Sequence, residues 1–195
     1  AGHNEMKTET MREMDLARGA RYAVFILTMM NLLNYLDRII PSVVKDLFKR
    51  DLKLTDAQTS LPITGFVIVY MLTSPIFGAL ADRWSRKVLI ALGVALWSLA
   101  TGAAALAVGF WTFVLARAFV GIGEAAYATI SPALLSDFYP PEKRNRIITI
   151  FYVAIPVGSA LGFVLVGYFG DAFGWRAAFL ICVLPGLALA GLVLA

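Results

Sequence analysis

Cysteine and histidine are nearly absent from this chain, whose 195 residues include one of each, Cys182 and His3. A single thiol excludes an intramolecular disulfide, and Cys182, set in an apolar run, reads as a small buried hydrophobe. His3 stands in a polar N-terminal stretch, and no His/Cys or acidic cluster offers metal-ligand spacing. The same scarcity leaves no nucleophile with a base beside it, which argues against an intramembrane protease or any other enzyme. Neither a metal nor a cofactor is expected. Charge is scarce too: Asp, Glu, Lys and Arg make up 15% of the residues against 59% hydrophobic, and the net charge is only +4. No basic stripe interleaved with aromatics occurs, so nucleic acid is not an expected partner.

What the chain does have is long apolar runs. Six of them, Tyr22–Val44, Ala57–Ala81, Val88–Val108, Trp111–Ser136, Ile147–Phe169 and Ala177–Ala195, approach or exceed the roughly 20 residues that cross a bilayer as a helix. With a mean hydropathy of +0.76, they predict an all-α membrane protein of six transmembrane helices. No sheet is expected, because a lone strand in lipid cannot satisfy its backbone. Residues 1–20 read as a polar tail with a short helix around Met11–Arg18, and residues 21–195 as the transmembrane domain. Ala1–His3 lack an initiator methionine and read as an expression remnant, and no cleavage pattern follows the first run. The last run ends at Ala195 without a polar tail, which leads us to expect half of a larger protein. Pro62, Pro75, Pro132, Pro156 and Pro185 are expected to bend or interrupt their helices, since each removes a backbone donor.

Cation placement predicts orientation. Lys7, Arg12, Arg18 and Arg21 precede the first run, Arg83, Arg86 and Lys87 follow the second, and Lys143, Arg144 and Arg146 follow the fourth. The opposite side has an uncharged Val108–Trp111 turn and only Arg176 before the sixth run. Its first loop is the exception, with Lys45, Lys49, Arg50 and Lys53 partly offset by Asp46, Asp51 and Asp56. The positive-inside rule therefore puts the N-terminus of this multi-pass protein in the cytoplasm.

Four charges lie inside the apolar runs: Asp37, Arg38, Arg117 and Glu124. An ionised group at membrane depth costs roughly 2.5–3.5 kcal/mol on insertion scales, so such groups pair or face a wet cavity. That pattern implies a transport machine. In the first run, Asn31, Asn34, Arg38 and Pro41 share a helix face with Asp37 adjoining it, and Tyr35 lies nearby. Such a stripe either lines an aqueous path or ties helices together by hydrogen bonds. In the fourth run Arg117, Gly121 and Glu124 share a face over ~10 Å. Counting inward from Lys45 and Phe110, Asp37 and Arg117 both sit roughly 10–12 Å below the outer helix ends. They can therefore meet if these helices adjoin. A proton site is expected at Asp37 with Arg117 and Glu124 as partners, Glu124 serving as a second acceptor or a substrate-polarity sensor and Arg38 as a competing partner. Arg117 can alternatively hold an anionic headgroup, because its fork suits phosphate or carboxylate. An oligomeric six-helix channel would instead need a filter-like loop or a ring of pore charges, and neither is present.

The turn Gly78-Ala-Leu-Ala-Asp-Arg-Trp-Ser-Arg-Lys87 resembles the G-x-L-x-D-R-x-G-R-K loop of the major facilitator superfamily, with Ser85 in place of the usual glycine. Arg117-Ala-Phe-Val-Gly-Ile-Gly123 is similar to its R-x-x-x-G-x-G pattern, whereas Pro156-Val-Gly158-Ser-Ala-Leu-Gly162 only partly resembles its antiporter motif. Asn34-Tyr-Leu-Asp-Arg38, the stretch from Arg117 to Pro132, and Ile150 to Ser159 together resemble the Spinster family. The resemblance implies the N-terminal six-helix half of a twelve-helix fold, with substrate held between two halves near the midplane. It implies a proton-coupled, alternating-access transporter of a lipid-like amphiphile, a lysophospholipid or sphingosine phosphate. A proton-linked symporter of small organic anions is the alternative. Membrane lipids, protons, the substrate and the C-terminal half are then the partners. A substrate cavity is expected along Asn31, Asn34, Tyr35, Arg38, Gly121, Tyr127, Tyr152 and Ser159. A cytoplasmic gate is expected at Gly78, Asp82, Arg83, Arg86, Asp137 and Arg144, latching the halves when the cavity opens outward.

Overall fold

The computed structural model describes the backbone of residues 2–194 and the side chains of residues 17–194. Among these residues there are eight helices and no strand. In chain order they are α1 (Gly2–Val43), α2 (Lys45–Asp51), α3 (Asp56–Ala81), α4 (Arg86–Ala105), α5 (Phe110–Phe138), α6 (Pro141–Phe173), α7 (Trp175–Leu180) and α8 (Val183–Leu192). Six stretches are long and apolar enough to cross a membrane, the last formed by α7 and α8 together. The chain is an integral, multi-pass membrane protein.

Three features differ from the sequence expectation. The expected tail with a short helix is part of α1, because residues 3–18 contain neither glycine nor proline and are rich in Glu, Met, Lys and Arg. The charged first outer connection is also helical, as α2. Pro62, Pro75, Pro132 and Pro156 all lie inside undivided helices, so of the two expected effects, bending or interruption, interruption does not occur at these four. Pro185 does act as expected. Its ring crowds the carbonyl four residues back, at Ile181, where α7 gives way to α8.

Packing centres on α5, which lies against both α3 and α4, while α1 packs on α6 and α4 also on α8. Two glycines bring α4 and α5 together. A Cβ on Gly123 would stand 2.5 Å from the Gly93 carbonyl oxygen and 2.6 Å from the Trp97 nitrogen, so only bare backbone fits. One apolar cluster surrounds Trp97, Tyr127 and Phe151; the other gathers Phe48, Phe113, Trp175 and Phe179 at the opposite end. α3 and α6 leave large apolar side chains uncovered, among them Met71, Leu72, Ile76, Phe163 and Val164. Such a surface suits a bilayer or a second domain.

A polar node ties α2 to α7. The Asp51 carboxylate accepts from the Arg176 guanidinium and from the Trp175 indole at 3.1 Å, and Arg176 also donates to the Ala107 carbonyl at 3.1 Å. The Arg176 guanidinium, followed by the Trp175 N–H, holds the Asp51 carboxyl below the usual carboxylate range. A carboxyl lowered on folding stabilises the fold above its unfolded value, about 3.9, and loses that contribution as pH falls through the folded value. Both partners are nearly half exposed, at 44% and 47%, so the ion pair is worth less than about 1 kcal/mol. Asp51→Asn should therefore lower the thermal midpoint of the detergent-solubilised protein slightly at pH 7, with the difference closing below about pH 4. A difference unchanged on acidification would refute that assignment.

Candidate functional site

Two ion pairs bridge α1 and α5. Arg117 Nη1 lies 3.5 Å from Asp37 Oδ1, and Arg38 Nε donates to Glu124 Oε2 at 2.6 Å. Adjacent residues of α1 thus reach two charges that are two turns apart on α5. Asp37 and Glu124 are completely buried and Arg117 is 2% exposed, whereas the Arg38 side chain keeps 23% of its surface open. The expected meeting of Asp37 with Arg117 occurs. Arg38, expected to compete for Asp37, instead neutralises Glu124, because its longer arm spans the offset between the pairs.

The rest of the coordination was not anticipated. Asp37 Oδ2 accepts from the Thr101 hydroxyl of α4 at 2.6 Å, a shorter contact than the one to Arg117. Phe66 and Tyr70, one turn apart on α3, form an aromatic shelf. The Arg38 guanidinium lies 5.4 Å from the Phe66 ring, 4.8 Å from Tyr70 and 5.0 Å from Tyr35. Arg117 approaches the same Phe66 ring at 5.1 Å. Phe66 is thus shared by both guanidiniums, which gain cation–π attraction there, the more so at the almost wholly enclosed Arg117. The i, i+4 spacing of Phe66 and Tyr70 was the available signal. Arg117 Nε and Glu124 Oε1 have no partner among the described residues, leaving each pair spare hydrogen-bonding capacity.

The residues expected to line a cavity divide into two groups. Asn31, Asn34, Gly121 and Tyr127 are buried within the bundle. Asn31 donates to the Phe151 carbonyl at 2.8 Å and Tyr127 to the Leu27 carbonyl at 2.6 Å, so both tie helices together rather than face a path. Gly121 lets α5 close onto α3, since a Cβ there would stand 2.7 Å from the Phe66 carbonyl oxygen. Tyr35, Arg38 and Ser159 are partly open, and Tyr152 is 46% exposed.

The expected gate is only partly assembled. Arg86 pairs with Asp137, joining the start of α4 to the end of α5. Asp82 ends α3 as its C-cap, and neither Asp82 nor Arg83 makes an ion pair among the described residues. Arg144 donates to the Tyr139 carbonyl at 2.9 Å and stands apart from the pair. Gly78 has room for a side chain, its nearest neighbour being 3.7 Å from a built Cβ. Ser85 has φ −61°, which any residue adopts, so the turn does not need the glycine it lacks.

The family description "Major Facilitator Superfamily" matches residues 27–195. Protein spinster homolog 1 of Homo sapiens is 40% identical over 174 residues, covering 88% of this chain and 33% of its own length. The sphingosine-1-phosphate transporter SPNS2 of Danio rerio is 38% identical over 176 residues, covering 88% of this chain and 35% of its own. A solved bacterial homologue of the human lysosomal transporter Spinster, inward-facing and unoccupied, superposes with a TM-score of 0.80 at 27% identity. That match takes in 90% of this chain and 42% of the other. The chain spans about a third of the length of these curated relatives.

Proposed function

Because the chain belongs to the major facilitator superfamily, with the fold of an N-terminal six-helix half, we propose that it is half of a proton-coupled, alternating-access transporter of an anionic, lipid-like amphiphile. The observation that carries this reading is the pair of membrane-buried ion pairs between α1 and α5, of which only Arg38 presents a partly open charge. Asp37 is the proton carrier: a carboxyl that alternates between a guanidinium and a dry pocket alternates between releasing and holding a proton. Arg38, braced on Tyr35, Phe66 and Tyr70, is the headgroup anchor in preference to the enclosed Arg117. An arriving phosphate or carboxylate competes with Glu124 for its fork. Substrate binding and the charge state of the site are thereby linked.

Similarity to the sphingosine-1-phosphate transporter supports the amphiphile class, and the large apolar side chains that α3 and α6 leave uncovered suit a hydrocarbon tail. The cytoplasmic latch rests on the Arg86–Asp137 pair, with the N-terminus on the cytoplasmic side as the cation distribution favours and a bacterial inner membrane as the setting the Spinster resemblance suggests. The test is flux into proteoliposomes of the full-length protein, with and without a pH gradient, comparing a fluorescent lysophospholipid with a sugar acid. Gradient-stimulated lysophospholipid uptake is the expected result. Uptake of the sugar acid alone would move the reading to an organic-anion symporter, and indifference to the gradient would remove the proton.

A further inference from the structure

Hydroxyl groups inside these helices mostly satisfy themselves. Thr73 donates to the Val69 carbonyl, Ser74 to Tyr70, Ser98 to Val94, Ser131 to Tyr127 and Thr149 to Asn145, each four residues back on its own helix. That is the ordinary outlet for Ser and Thr in a helix. Thr101 departs from it. One turn beyond Ser98 on α4 and itself completely buried, it donates 2.6 Å across to the α1 carboxylate of Asp37. Giving up the local bond for a remote, charge-assisted one is favoured where the acceptor is an ionised carboxylate.

We propose that Thr101 is a positioning residue for the Asp37 proton site, an inference that rests on the proton-coupled reading. Its hydroxyl fixes one carboxylate oxygen toward α4, leaving the other to face Arg117. A hydroxyl suits this post because it both donates and accepts. Toward the carboxylate it is a donor, and toward the carboxylic acid it turns and accepts the acid's own proton. Asp37 therefore keeps a partner on α4 in either state, and Arg117 can let go without stranding a bare acid in the bundle. A lysine ammonium at position 101 could only donate and would serve the carboxylate alone.

The other groups around Asp37 do not duplicate this role. Arg117 and Glu124 face it from α5, Arg38 from its own helix and Cys182 from the junction of α7 and α8. All but Cys182 are charged, so they respond to the proton rather than accommodate it, and the thiol is a weak partner.

The test uses the full-length protein in nanodiscs with a spin-label pair across the cytoplasmic face, following the label distance against pH without substrate. The variants are Thr101→Val, which preserves shape, and Thr101→Ser, which preserves the hydroxyl. The valine variant should move the midpoint of the pH-driven distance change to higher pH by about 0.5 unit or more, the scale of one buried hydrogen bond. The serine variant should restore the wild-type midpoint. A valine variant with the wild-type midpoint, or a serine variant displaced as far as valine, overturns the assignment. A wild-type protein whose distances ignore pH refutes the proton-coupled reading and removes this inference with it. Should the valine variant fail to fold, Thr101→Ala with its smaller volume provides the same comparison.

Discussion

Asp37→Asn in the full-length protein is expected to reduce gradient-driven uptake to the level measured without a gradient, while substrate exchange in the absence of a gradient continues. Asparagine is nearly isosteric with aspartate, and its amide oxygen can still accept from Thr101. The variant keeps that bond but leaves the buried Arg117 charge without its counter-ion, at a cost of about 3–5 kcal/mol, so its folding is checked by its denaturation midpoint in detergent. What it cannot do is exchange a proton. The measurement is uptake of a fluorescent lysophospholipid under an imposed pH gradient, beside counterflow with equal pH on both sides. Wild-type gradient-driven uptake in the variant would show that Asp37 is not the coupling group and that its pair with Arg117 is a structural tie.

The two measurements fail differently. Loss of uptake and counterflow together would mean that Asp37 shapes the substrate site, which its complete burial argues against. Loss of uptake alone isolates the proton step. Arg38→Gln is the natural control, because it removes the partly open charge while leaving Asp37, Thr101 and Arg117 in place.

Much of this arrangement can be read from sequence, and the exceptions have physical causes. The six spans are legible because a bilayer demands a minimum apolar length. Asp37 meets Arg117 as depth counting suggests, since helical rise converts sequence distance into height. Height alone does not show which of two adjacent α1 charges reaches which of two α5 charges. Side-chain length decides that, and the longer arm of Arg38 takes Glu124. Thr101 is hidden because a helical threonine ordinarily bonds its own backbone, and nothing local distinguishes it from Thr73. Asn31 and Tyr127 look like cavity residues because polarity in a membrane helix signals either a wet path or a helix tie. Only packing decides between these, and both residues turn inward to carbonyls.

The same packing frames the second large effect. Arg117→Leu removes the cation from a site where Asp37 is entirely enclosed, leaving Thr101 as its remaining direct partner. Breaking one side of a buried pair in this way typically costs about 3–5 kcal/mol, because the surviving charge stays buried. Replacing both partners by apolar side chains of similar volume is often neutral or stabilising, since neither charge then has to be desolvated. Asp37→Leu with Arg117→Leu should accordingly recover most of the stability lost in Arg117→Leu, read as the denaturation midpoint of the full-length protein in detergent. Phe66, which stacks near the Arg117 guanidinium, offers an apolar surface for the new leucine. Gradient-driven transport should not recover with stability, because the double variant has lost Asp37, the proposed proton carrier. A double variant that regains both would assign the pair to architecture alone. A double variant that regains neither would mean that the charges specify how α1 docks on α5, with Arg38–Glu124 insufficient by itself to hold the two helices in register.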